Sequence, residues 1–258
     1  MPTVAELRLA AEIAACEAGC MPPRYRRNGR MTTPAQQAAL LRARVLLVGL
    51  GGLGGHVLDA LLRMGVGHIT GVDGDSFEES NLNRQLLCTQ ENMGQSKAQA
   101  AVAHAQRVNS AVDVVPVPTV VHGAAWAELI RGGHRALGFD VVVDALGGLE
   151  DRQALHTAAQ RANIPVVTAG IAGLTGWVQL LRAGDKGPMD YFSQHQRQAW
   201  ELGGSESAEE MLGNLVPTVM LAAGVQCAHV YTLLTGGVCR SEMLIFDAQD
   251  LCFMPIRP

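Results

Sequence analysis

Hydrophobic positions change period twice along this chain. Residues 3–18 carry apolar side chains at helical spacing (Val4, Leu7, Ala11, Ala14, Ala15), and Met21-Pro22-Pro23 ends that pattern. An arginine-rich stretch at 24–30 follows, and Thr33-Pro34 opens a second helix to about residue 41, with Thr33 as N-cap and Pro34 at the first helical position. From residue 44 onward strands and helices alternate. The continuous apolar run 45–48 reads as a strand buried on both faces. It is followed by a helix at 53–64 that packs Leu53, Val57, Leu61 and Met64 inward. Strands are expected at 68–72, 112–117, 140–144 and 165–169, with helices near 96–109, 124–131 and 150–162 between them. Repeated strand–helix–strand units predict a mostly parallel sheet with right-handed crossovers.

After Gly170 the texture changes. Residues 174–181 read as a strand with no helix after it, and 183–213 is long, polar and glycine-containing, as functional loops often are. A long apolar helix at 215–234 and two short strands near 242–247 and 251–256 close the pattern. No repeat or linker divides the chain. The expected fold is a single α/β domain, Rossmann-like and doubly wound, with a mostly parallel sheet and a C-terminal antiparallel extension. Its parts are an N-terminal helical and arginine segment (1–43), a nucleotide-binding core (44–170) and an extension (171–258) carrying the crossover loop 183–213.

Composition narrows the class. The 258 residues are 48% apolar and 17% charged, with 29 glycines, which suits a compact enzyme that buries roughly three quarters of its unfolded surface. A net charge of −4 argues against a phosphate-neutralising nucleic-acid binder. No apolar run is read as reaching the ~18–20 residues of a membrane span, and Glu6, Glu12 and Glu17 make the start wrong for a signal peptide. A cytoplasmic protein with neither membrane nor nucleic-acid partner is expected. The six cysteines (16, 20, 88, 227, 239, 252) form no C-x-x-C pair, so no zinc site is expected. Cys16 and Cys20 are expected to share a helix face.

Candidate chemistry begins at Gly49-x-Gly51-x-x-Gly54, with Gly52 inside it, between a buried strand and a helix. The glycines permit a tight turn, close phosphate approach and close helix packing, and the helix N-terminus attracts an anion. Asp73, at the end of the second strand, is placed to bind ribose hydroxyls. This fingerprint alone suits a nicotinamide or flavin enzyme. Ser80-Asn81-Leu82-Asn83-Arg84-Gln85 and Gly94-x-x-Lys97 add an amide and two cations. Such a collar suits a triphosphate that loses pyrophosphate, where negative charge builds on the leaving oxygens.

These stretches, with Arg24-Tyr25-x-Arg27, Gly65-Val66-Gly67 and Asp73-x-Asp75, resemble the adenylation domain of the ubiquitin-activating-type enzymes, especially the bacterial MoeB and ThiF adenylyltransferases. The resemblance implies ATP and Mg²⁺ as cofactors. It also implies adenylation of the C-terminal Gly-Gly carboxylate of a small ubiquitin-like sulfur carrier, in thiamin, molybdopterin or another sulfur pathway. It assigns Asp73 to the ribose and Asn81, Arg84 and Lys97 to the phosphates, places Asp75 near the triphosphate and its metal, and makes Arg27 a finger from the other subunit of a homodimer. Loop 183–213 would cross the carrier tail, with Gly170–Gly173 leaving room for it.

One departure stands out. Family members carry a metal-binding aspartate where this chain has Gly147 in Asp144-Ala145-Leu146-Gly147, which leaves Asp75 or Asp144, or Glu150 or Asp151, to hold Mg²⁺. Gly147 also raises the alternative of a catalytically weakened nucleotide- or carrier-binding relative. A nicotinamide- or flavin-dependent oxidoreductase, or ATP-dependent dehydration of a modified tRNA base, are the other readings.

Overall fold

In a computed structural model, residues 3–147, 150–191 and 211–256 are described. Eight strands form one sheet in the order β3-β2-β1-β4-β5-β6-β7-β8. The first five, β1 (Arg44–Val48), β2 (His68–Val72), β3 (Asp113–Val117), β4 (Val141–Asp144) and β5 (Val166–Ala172), are parallel. β6 (Thr175–Leu181), β7 (Met243–Asp247) and β8 (Cys252–Ile256) add antiparallel neighbours. The chain winds outward from β1 through β2 to β3, then returns to place β4 on the other side of β1. That reversal opens a crevice beyond the carboxyl ends of β1 and β4, where open α/β sheets bind ligands.

Between the strands run α3 (Gly52–Met64), α4 (Lys97–Val108), α5 (Ala125–Gly132) and α6 (Glu150–Arg161), preceded by α1 (Val4–Glu17) and α2 (Pro34–Arg42). Thr3 and Thr33 each form a capping box, with Glu6 and Gln36 respectively, so both N-terminal helices start where side chains satisfy backbone N–H groups that have no helical partner. Sheet residues are fully buried on both faces, Val45, Leu47 and Val143 on one and Leu46 and Val142 on the other, as helices on both faces require. Pro116 is tolerated within β3 because β3 is an edge strand.

α7 (Pro188–Tyr191) is one helical turn, and α8 (Val216–Leu234) packs on α3 and β5. α8 corrects one expectation: its 19 residues are long and apolar enough, by length and composition, to cross a membrane. In this fold its buried polar residues face the sheet instead. Gln226 Nε2 donates to the carbonyls of Asp144 (2.9 Å) and Val167 (3.3 Å), and Thr218 Oγ1 donates to that of Gly173 (2.7 Å). A second correction concerns Cys16 and Cys20. α1 ends at Glu17, so Cys16 is buried and Cys20 lies exposed beyond the helix rather than on its face. The expected crossover loop falls largely on residues 192–210, which lie outside the described residues.

Candidate nucleotide-binding site

A cavity of about 360 Å³ fills the crevice. Its floor is the glycine loop between β1 and α3. Gly49 has φ +86°, and a Cβ there would lie 2.6 Å from the Ala145 carbonyl oxygen of the neighbouring strand end. A Cβ on Gly54 would stand 1.7 Å from the Gly49 carbonyl oxygen, which no side chain survives. The third glycine therefore lets the first turn of α3 close on its own loop. Gly51 and Gly52 line the cavity with the N-terminal turn of α3, whose unpaired N–H groups favour an anion.

Asp73, the expected ribose acceptor, is tied into the fold. Its two oxygens accept from the backbone N–H of Leu50 (2.7 Å) and of Asp75 (2.9 Å), which ties the loop after β2 to the glycine loop after β1. Burial raises its pKa above the usual carboxylate value, partly opposed by those two N–H groups. Lys97, at the start of α4, is buried, and its Nζ meets Asp75 Oδ2 at 2.9 Å. Arg84 lies over the glycine loop, donating to the Ser80 carbonyl (3.1 Å) and Asn83 Oδ1 (2.8 Å). Asp73, Asp75, Arg84 and Lys97, from three separate stretches of sequence, thus share one cavity wall.

Two of the expected residues are placed elsewhere. Asn81 is buried and is not part of the cavity lining. Its Oδ1 accepts from the Glu78 N–H (3.2 Å) and its Nδ2 donates to Ser80 Oγ (3.2 Å), so it shapes the turn that delivers Arg84. Arg27 is exposed on a short 3-10 helix (Pro23–Asn28) and does not line this cavity. Its neighbour Tyr25 is fully buried against Gly65 and accepts from Asn109 Nδ2 (2.9 Å), while Arg24 pairs with Glu12 (3.0 Å). Arg24 and Tyr25 are thus anchors, and Arg27 is left projecting.

The proposed metal carboxylates separate as clearly. Asp144 is fully buried and away from the lining, which removes it as a ligand reaching into the cavity. Its Oδ2 accepts from His156 Nε2 and Thr168 Oγ1, both at 2.7 Å, its Oδ1 accepts from the Leu146 N–H (3.1 Å), and Arg152 Nε lies 3.4 Å away. Burial alone would raise its pKa, but the Arg152 guanidinium, His156 and Thr168 outweigh it and hold the carboxyl at about 2. Arg152 also donates to the Leu146 and Ala169 carbonyls, fixing the 144–147 rim. Asp75 and Asp151 do line the cavity, beside Gly147. Asp151 accepts from the exposed His122 at 2.8 and 2.9 Å.

Sequence reading did not single out Thr119, Val120, Trp126 or Asn214, which also line the cavity. They come from two loops and the first turn of α5, whose meeting point no local pattern signals. Gly170 reverses an expectation: a Cβ there would lie 2.6 Å from Trp177 Nε1, so the indole already occupies the space that glycine was expected to leave open.

A family model described as the ThiF family matches residues 25–257. Among curated proteins, the chain is 30% identical over 216 residues to the sulfur carrier protein ThiS adenylyltransferase of Bacillus subtilis, covering 83% of this chain and 61% of that protein. It is 32% identical over 152 residues to the molybdopterin-synthase adenylyltransferase of Escherichia coli, covering 59% of each. The chain spans from 29% to 61% of the length of the first curated relatives it matches. The solved structure of E. coli MccB with ATP superposes with a TM-score of 0.73 at 21% identity, covering 91% of this chain and 71% of that one. At that identity the likeness concerns the fold.

Proposed function

The chain belongs to the ThiF family, and from that premise we propose that it adenylates the C-terminal Gly-Gly carboxylate of a ubiquitin-like sulfur carrier protein with ATP, releasing pyrophosphate. The observation that carries this reading is the convergence of Asp73, Arg84 and Lys97 on one cavity above an open glycine loop. Asp73 suits ribose hydroxyls with the lone pairs its backbone partners leave free. Arg84 offers a planar, multidentate fork and Lys97 a point charge, a pair suited to a triphosphate chain. Two phosphates would not call for both.

In the reaction a carrier carboxylate oxygen attacks the α-phosphorus. An acyl–phosphate bond forms while the bond to the β-phosphate oxygen breaks, and pyrophosphate departs with that electron pair. The carboxylate is already ionised at neutral pH, so the protein needs no general base. Its task is to align the two reactants and neutralise charge on the leaving oxygens. Asp75 and Asp151, carboxylates on the cavity lining, would be the residues to hold Mg²⁺, which takes one or two carboxylates along with nucleotide oxygens. Bound there, the ion would add Lewis-acid neutralisation of the phosphates. Arg27, projecting from its anchored helix, is proposed to reach the phosphates of a partner subunit in a homodimer, and the protein is proposed to act in the cytoplasm.

Carrier-dependent exchange of labelled pyrophosphate into ATP tests the reading, since only reversible adenylation scrambles the label. Gly147, which lends no side chain to the cavity rim, favours a second reading in which the chain binds nucleotide and carrier but adenylates feebly. Tight ATP binding with no exchange for any Gly-Gly-ended carrier supports that second reading. Binding of a nicotinamide dinucleotide in preference to ATP overturns both.

A further inference from the structure

At the opposite end of the sheet three side chains unused by the nucleotide site meet. His68 opens β2 and Asp113 opens β3, and the two are register partners across those strands. His134 arrives from the turn after α5 and is 1% exposed. One potential ligand atom from each lies within 4.8 Å of the other two. β2 is five residues long, so about 16 Å of strand separates this cluster from the cavity.

We propose that His68 Nδ1, His134 Nε2 and Asp113 Oδ2 form a binding site for a divalent transition metal of the zinc class. Four observations support the assignment. His68 Nδ1 is shut off from solvent with no hydrogen-bond partner, and it stands 4.0 Å from Asp113 Oδ2. A buried unpaired polar atom costs about 1–3 kcal/mol, and a shared cation would satisfy it. His134 Nε2 lies 2.9 Å from the same carboxylate oxygen, while its Nδ1 lies 3.0 Å from Thr70 Oγ1. A hydroxyl both donates and accepts, so Thr70 Oγ1 can accept a hydrogen bond from the His134 Nδ1–H while Nε2 turns its lone pair to a metal. Metal-bound histidines are commonly held in this way by an outer partner.

The third observation is the donor set. Two imidazoles and one carboxylate suit zinc-class ions over Mg²⁺ or Ca²⁺, and three protein ligands leave a position for water. The fourth is the turn that carries His134. Arg135 and Ala136 both hold positive φ, +49° and +65°, in a region that non-glycine residues seldom occupy. Consecutive strained residues of this kind gather where a site demands a particular side-chain position. Arg135 at present binds Asp113 through Nε to Oδ2 (2.8 Å) and Nη2 to Oδ1 (3.0 Å). Its side chain is 59% exposed, so it can yield Oδ2 to a metal and keep Oδ1. The site is distinct from the cysteine-based zinc motif that the sequence lacks, because it uses no cysteine.

The test is titration of chelator-stripped full-length protein with zinc chloride and, separately, cobalt chloride, read by calorimetry and visible absorption. One equivalent of each is expected, with a cobalt spectrum of low coordination number and no thiolate band, and a raised Tm. His68→Ala, at a position only 22% exposed and with folding checked by circular dichroism, should abolish binding. Thr70→Val should weaken it by about 10–100-fold. Arg135→Ala should tighten it by removing the competing cation, a gain that a purely structural ion-pair cluster would not show. No uptake by the native protein overturns the proposal. So does uptake with a thiolate band, or uptake unchanged in His68→Ala. Pyrophosphate exchange is not involved, so the two proposals stand or fall separately.

Discussion

Replacing Asp144 with asparagine should separate the electrostatics of the sheet core from its shape. The side chain is fully buried, and Arg152 Nε lies 3.4 Å from its Oδ2. At an effective dielectric of about 20, two unit charges that far apart attract by about 5 kcal/mol. Desolvation opposes this. A carboxyl held at about 2 against an ordinary 3.8 favours the ionised form by about 2 kcal/mol net. Asp144→Asn should therefore lower unfolding free energy at pH 7 by about 2–5 kcal/mol, the upper end applying if the buried guanidinium cannot relax.

The stabilisation depends on pH. The folded pKa is depressed, so the stabilisation is present above the unfolded value of 3.8 and disappears as pH falls toward about 2. Urea unfolding of both proteins across that window should show the deficit shrinking as acid is added. Nucleotide affinity should fall as well, because Asp144 accepts from the Leu146 N–H and Arg152 donates to the Leu146 carbonyl, together setting the cavity rim. A variant within about 0.5 kcal/mol of the native protein at pH 7, or a deficit equally large at pH 2, would refute the argument.

Other expectations follow from the same geometry. Lys97→Ala should weaken ATP binding by about 1.5–3 kcal/mol, the range for a hydrogen bond to a charged group, with a smaller loss for AMP; calorimetry on both nucleotides checks this. Gly54→Ala would force a Cβ to 1.7 Å from the Gly49 carbonyl, so it should abolish nucleotide binding or folding, as binding assays and circular dichroism will show. Burial raises the pKa of Asp73, so its acceptor role should begin to fail on acidification at a higher pH than an ordinary aspartate would. Nucleotide affinity measured against pH should show that early onset, and Asp73→Asn should remove it. Tyr25→Phe deletes the hydroxyl joining Asn109 to Glu12, and chemical denaturation should report a loss of about 1–3 kcal/mol.

Much of this protein was legible locally. Period and length identify the strands and helices because burial on both faces leaves a continuous apolar run, and burial on one face leaves a helical stripe. The glycine loop, Asp73, Arg84 and Lys97 could be picked out as candidates from sequence because they lie close after β1 and β2, and the structure gathers them on one cavity. What sequence alone could not decide was where side chains point and which distant segments meet. Asn81 and Asp144 have the right chemistry and spacing, yet one shapes a turn and the other is sealed under Arg152 and His156. Gly170 suggested open space, and tertiary packing filled it with Trp177 from the antiparallel neighbour strand. His68, Asp113 and His134 are 45 and 21 residues apart along the chain. No periodicity links them. Only the register of β2 on β3 and a strained turn bring them together, because pairing across a sheet is a long-range property that local pattern does not encode.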